Sequence, residues 1–149
     1  MNQRGIVLIE ALVGILLFAV GVLALVGLQA LSISHIRDAK YRADAAFLAE
    51  QIIGVMWADT RANLSSYAHN ASGSNCAFSG GASGNANVTA WIGSSTEQGS
   101  VLGTVPAAAS GQQVVINGVN QVSITLCWQG PQDLVAHSYV VTTQINGGL

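Results

Sequence analysis

Charge is what this chain has least of. Of its 149 residues only 8% are Asp, Glu, Lys or Arg, and five basic against seven acidic residues leave a formal net charge of −2. No basic field exists to hold a nucleic-acid backbone, so nucleic acid is not expected among the partners. Half of the residues are hydrophobic, which excludes a disordered tail. Only two prolines and two cysteines occur, and the cysteines have no metal-ligand spacing. His35, His69 and His137 stand far apart in the sequence. His-Glu-x-x-His and Gly-x-Ser-x-Gly are both missing, and the Gly-rich run over 70–87 lacks the Lys-Ser/Thr that ends a phosphate loop. After Arg61 the only acids are Glu97 and Asp133, without the context of a two-carboxylate hydrolase. The expectation is a protein that is not an enzyme, with no catalytic residue, no metal and no cofactor.

The few charges are placed unevenly: ten of the twelve lie between Arg4 and Arg61. Beyond Ala62 polarity comes from Ser, Thr, Asn, Gln and Gly, which reads as an uncharged, loop-rich extracytoplasmic domain. Between Glu10 and Arg37 lie 26 residues without a charge, and Ala11 to Leu28 is apolar or glycine throughout. A helix of roughly 20 such residues crosses about 30 Å of hydrocarbon. A single soluble domain of this size has nowhere to bury a uniformly apolar cylinder. A secretory signal peptide has a shorter apolar core and a small-x-small cleavage site, and Leu28-Gln29-Ala30 is a poor one. Helical character also continues past the apolar run, so the segment is expected to stay in the mature protein.

Glu10 sharpens this reading, because a carboxylate at the apolar start of a spanning helix is costly unless it is paired or reaches the interface. The segment Gly5-Ile6-Val7-Leu8-Ile9-Glu10, after a polar leader containing Arg4, resembles the class III signal of type IV prepilins. The resemblance implies cleavage between Gly5 and Ile6, methylation of the new amino terminus at Ile6, and retention of the helix. Many members have phenylalanine where this chain has Ile6. The new cationic amine would sit at the apolar end of the helix, and the resemblance implies that Glu10 of an adjacent subunit pairs with it. An opposite charge within about 4 to 6 Å favours the ionised carboxylate while desolvation opposes it. At about 100° per residue, Glu10, Gly14, Gly21 and Ala24 share one side of the helix. Small residues let helices approach closely in lipid, although glycine is common in spanning helices anyway.

Residues Gly21 to Gln29, Ala46 to Ala49, Met56, Thr60 to Asn63, Trp91, Val105-Pro106 and Ile124 to Gln129 look similar to the PilV group of minor pilins. The implied fold is α+β and type IV pilin-like, a long N-terminal transmembrane helix packed against a small antiparallel β-sheet head. Its parts are a leader (1–5), the transmembrane half of the helix (6–31), an amphipathic second half (32–63) and a loop-rich β head (64–149). The implied function is a structural or initiation subunit of the type IV pilus. The implied partners are other major and minor pilins, the prepilin peptidase, the inner-membrane assembly platform and the lipid bilayer. The chain would be single-pass in the inner membrane with a periplasmic head, and later part of the pilus at the cell surface. A pseudopilin of type II secretion shares the signal, and a pilus-tip adhesin is a third reading. One feature opposes this topology: Arg37, Lys40 and Arg42 follow the span while Arg4 and the initial amine precede it, which by the positive-inside rule alone puts the head in the cytoplasm.

After the span, Ile33, Ile36, Ala43, Phe47, Ile53 and Trp57 recur at helical spacings and are expected to face the head. Asp38 with Arg42 and Lys40 with Asp44 are i,i+4 pairs on the wet face. Helix character weakens after Arg61-Ala62-Asn63, for one helix of about 57 residues and roughly 85 Å. Residues 70–87 read as a flexible surface loop. A short helix is expected between Val88 and Leu102 with Asn87 as cap. Val114 to Ile116, the turn Asn117-Gly118 and Val119 to Trp128 read as a hairpin, although Asn120-Gln121 could shift the turn. After a turn at Gly130-Pro131, Ser138 to Ile145 reads as a strand, giving a small antiparallel sheet with one wet face. Cys76 and Cys127 are either two buried thiols or a disulfide, and an extracytoplasmic head favours the disulfide.

Overall fold

The structure, a computed structural model, describes residues 4–106, 111–131 and 133–146. Of the expected leader, Met1 to Gln3 lie outside these residues. The chain divides into two compact units, Met1–Asp38 and Ala39–Leu149.

A single helix, α1 (Arg4–Ala58), begins in the first unit and ends in the second. In the first unit every described side chain from Ile6 to Arg37 is exposed, including Ile6 at 69% and Phe18 at 74%. Exposed apolar residues on all sides are what lipid tolerates and water does not. The helix is long and apolar enough to cross a membrane, with a mean hydropathy of 2.9 over its most apolar window.

In the second unit α1 ends at Ala58, because the Asp59 carboxylate takes the Thr60 N–H at 2.7 Å and Thr60 turns extended. A 3₁₀ helix (Arg61–Tyr67) follows, so the α-helix stops short of the expected Asn63. Then come β1 (Ser72–Ser74), β2 (Ala77–Ser79), α2 (Ala86–Ile92), α3 (Val101–Thr104), β3 (Gln112–Ile116), β4 (Gln121–Trp128) and β5 (His137–Gln144). β1 and β2 form a two-stranded hairpin, and β3-β4-β5 an antiparallel sheet of three strands. Register is fixed by pairs such as Val114↔Ile124 and Ile124↔Val141.

The helix face that packs is not the expected one. Ala45, Leu48, Ala49, Ile52, Ile53 and Met56 are buried, whereas Ile33, Ile36, Ala43, Phe47 and Trp57 are exposed. Of the expected set only Ile53 is in the core. The apolar stripe was real, but a second stripe, built around alanines, lies on the other side of the helix. The core prefers the fit of this face over side-chain size. Against this face pack Leu64 and Tyr67, Val88 and Trp91, and Val122, Ile124, Leu126 and Trp128 of β4.

Three local readings also change. The segment 70–87 contains the β1-β2 hairpin, whose two-residue turn Asn75-Cys76 has φ of 53° and 63°, a left-handed pair that fits a tight hairpin. The expected helix over 88–102 is two helices. Asn85, not Asn87, caps α2 by accepting the Asn87 N–H at 2.9 Å. Gly93 ends α2 at φ +58°, and a Cβ there would collide with Ser100. The β3-β4 turn is longer than Asn117-Gly118: Asn117 N donates to Gln121 O at 3.0 Å, and Asn120 takes the left-handed conformation at φ 57°. The sheet's outer face is partly covered, since Cys127 and Gln113 are buried on that side.

Candidate functional site

In the first unit, Gly5 and Ile6 lie in the opening turns of α1, and Glu10 lies one turn beyond Ile6 on the same side, about 6 Å along the axis. Ile6 and Glu10 are both exposed. A Cβ built at Gly14, Gly21 or Gly27 would meet nothing within 4 Å, so no contact inside the chain requires these glycines. The stripe Glu10, Gly14, Gly21 and Ala24 is thus bare, free for a neighbouring helix in lipid to approach.

In the second unit Cys76 and Cys127 form a disulfide, with Cα atoms 5.8 Å apart and 51 positions apart in sequence. It ties the tight turn of the β1-β2 hairpin to β4, so the left-handed turn and the sheet hold one another. This answers the choice between free thiols and a bridge.

A polar hub at the end of α1 escaped the sequence reading. Asp59 accepts from Asn63 Nδ2 at 2.9 Å and from the Tyr67 hydroxyl at 2.8 Å, and that hydroxyl accepts from Asn87 Nδ2 at 2.8 Å. The bonds from Asn63, then Tyr67, then Thr60 hold the Asp59 carboxyl below its usual range. Burial, with the Asp59 bond second, pushes the Tyr67 hydroxyl upward. The hub joins α1, the 3₁₀ helix and α2. Its only signal in sequence was an Asx residue just past a helix end with another polar residue four positions on. Trp91 adds a buried bond, its indole N–H donating to Leu48 O at 2.8 Å.

The histidines are not brought together. His69 is buried, and its Nδ1 accepts from the Ser83 N–H at 3.1 Å while Asn70 lies 2.9 Å from Nε2. Burial lowers its pKa below 6.5. His137 stacks on Trp128 at 5.9 Å and lies 3.4 Å from Asp133. His35 is exposed on α1. No group of three or more potential metal ligands occurs among the described residues.

Cavities in the head are modest. The largest described, about 380 Å³, is lined by Gln51, Ile52, Trp91, Glu97 and Ser100, with Glu97 its one carboxylate. Glu97 lies in the loop between α2 and α3 and Asp133 in the loop between β4 and β5, and among the described residues no hydrogen bond joins them. No family model matches this chain, and neither a curated protein nor a solved structure does.

Proposed function

We propose that the chain is a minor pilin, a structural or initiation subunit of a type IV pilus that is anchored by α1 and assembles through it. One observation carries the reading. Gly5-Ile6 and Glu10 stand at the head of a 55-residue helix whose first unit is apolar and exposed on all sides and whose far end carries a folded head. An unpartnered carboxylate at that position is costly in lipid, and a neighbour's new amino terminus is the partner the signal supplies. The disulfide supports an oxidising, extracytoplasmic location for the head. That location agrees with a cytoplasmic leader and runs against the positive charge that follows the span.

Intact mass spectrometry of the membrane form tests the reading. The expected mass lacks Met1 to Gly5 and carries one methyl group, and a product that begins at Met1 or beyond α1 refutes it. Gly5→Glu is expected to leave the leader in place. Glu10→Ala is expected to mature normally yet enter sheared pili poorly, and undiminished incorporation would remove the pairing argument.

A further inference from the structure

The largest described cavity lies wholly on the second unit, and at about 380 Å³ it falls in the usual size range of small-ligand sites. Its floor comes from Ile52 and Val55 on α1 and from Trp91 on α2, which belong to the core or pack against it. Its rim carries Gln51 on α1, with Glu97 and Gln98 in the loop between α2 and α3. An apolar floor under a few polar groups suits a ligand with an apolar stem and a polar end.

Charge defines that polar end. Glu97 is the one charged side chain on the cavity wall. No Lys or Arg follows Arg61 in the sequence, and Arg61 is itself engaged by Asn120, whose amide oxygen faces the guanidinium and accepts from Nε at 2.8 Å. Among the described residues the Glu97 carboxylate makes neither a hydrogen bond nor an ion pair, and the carboxamides of Gln51 and Gln98 make no hydrogen bond. The loop nevertheless holds Glu97 in place. Its N–H donates to Ser94 O at 3.0 Å, its carbonyl accepts from Ser100 Oγ at 2.7 Å, and its Oε2 rests on Gly93, where a Cβ would lie 2.9 Å away. With the backbone fixed and the carboxylate unclaimed, a cation can be received at little ordering cost.

We propose that this cavity binds a primary alkylammonium group, with the ammonium on the Glu97 carboxylate and the methylene stem along Val55 and Trp91. An ammonium has three N–H donors and no acceptor. The carboxylate takes one, and the unclaimed carboxamide oxygens of Gln51 and Gln98 are the acceptors open to the others. A methylene stem lies well on apolar side chains while its charged head stays at the rim. A quaternary ammonium would leave the carboxamides unused, and an anion would meet Glu97 as a like charge. The group is carried either by a free amine or by a lysine side chain of another chain, which share this chemistry. The inference goes beyond the pilus reading and uses none of it.

The test follows the backbone amides of Glu97, Gln98 and Gly99 and the Trp91 indole N–H by NMR, in the full chain in micelles of an uncharged detergent. With n-butylammonium chloride these signals are expected to shift and saturate. n-Butanol has a comparable stem and no charge, and should bind at least about tenfold more weakly. Glu97→Gln keeps the shape, removes the charge, and should weaken butylammonium about tenfold. Glu97 is exposed and its carboxylate bonds nothing inside the chain, so this variant should unfold as the wild type does. Ala90→Leu, at an exposed position on the same wall, should weaken binding by filling the space. Shifts that are absent, that butanol reproduces, or that Glu97→Gln leaves at wild-type affinity overturn the proposal. N-acetyl-lysine N-methylamide separates the sources. Tighter binding than butylammonium assigns a lysine side chain, whose peptide groups add bonds to the carboxamides, and weaker binding assigns a free amine. Cleavage at Gly5 enters none of these readings, so this site and the pilus reading fail separately.

Discussion

Two adjacent residues of α1 separate the packing seen here from the one the apolar pattern suggests. Leu48 is 1% exposed, in a core shared with Tyr67, Trp91 and the β4 valine and isoleucine, whereas Phe47 is 67% exposed. Replacing Leu48 by alanine deletes buried methyl groups and leaves a cavity that the disulfide-tied head has little freedom to collapse. The expected cost is about 3 kcal/mol, within the usual range for such a change. Replacing Phe47 by alanine removes no packing inside the chain and slightly improves helix propensity, so its effect should stay within about 0.5 kcal/mol. Urea unfolding of the full chain in micelles, followed by the fluorescence of buried Trp91 and Trp128, reads both. Leu48→Ala should also lower the Tm of the head by about 10 °C. If Phe47→Ala costs as much as Leu48→Ala, the alanine-lined face is not the packed one and the core described here is wrong.

Breaking the disulfide by Cys76→Ser with Cys127→Ser should cost the head about 4 kcal/mol by the chain-entropy account of a loop this long; equal urea midpoints with and without the bridge would contradict it. His69 makes stability depend on pH. Its folded pKa lies below the unfolded 6.5 because of burial, so the unfolded chain takes a proton first. Stability should fall as pH drops through 6.5 and level off below the folded pKa, and a His69→Gln variant with the same slope would refute this assignment. Trp91→Phe should cost about 1 kcal/mol for the lost bond to Leu48 O, beyond any loss of volume, and a variant with wild-type unfolding would show that the bond carries no net stability.

Several features were legible in the chain itself because each is written in local terms. Length and uniform hydropathy mark a helix long and apolar enough to cross a membrane, since a bilayer sets its requirement residue by residue. Alternating β-branched residues mark β3, β4 and β5 to within one or two positions, and two lone cysteines in an uncharged head favour a bridge. What tertiary structure alone decided is which of two apolar stripes on α1 faces the sheet. Phe47 and Trp57 carry more hydrophobic area yet stay exposed, while Ala45 and Ala49 are buried with Leu48 and Ile52. Tertiary contact also set the Asn75-Cys76 turn, whose left-handed residues are held by a partner 51 positions away, and the hub at Asp59, whose partners come from the 3₁₀ helix and α2. Burial depends on what lies opposite in space, and no reading along one chain direction contains that.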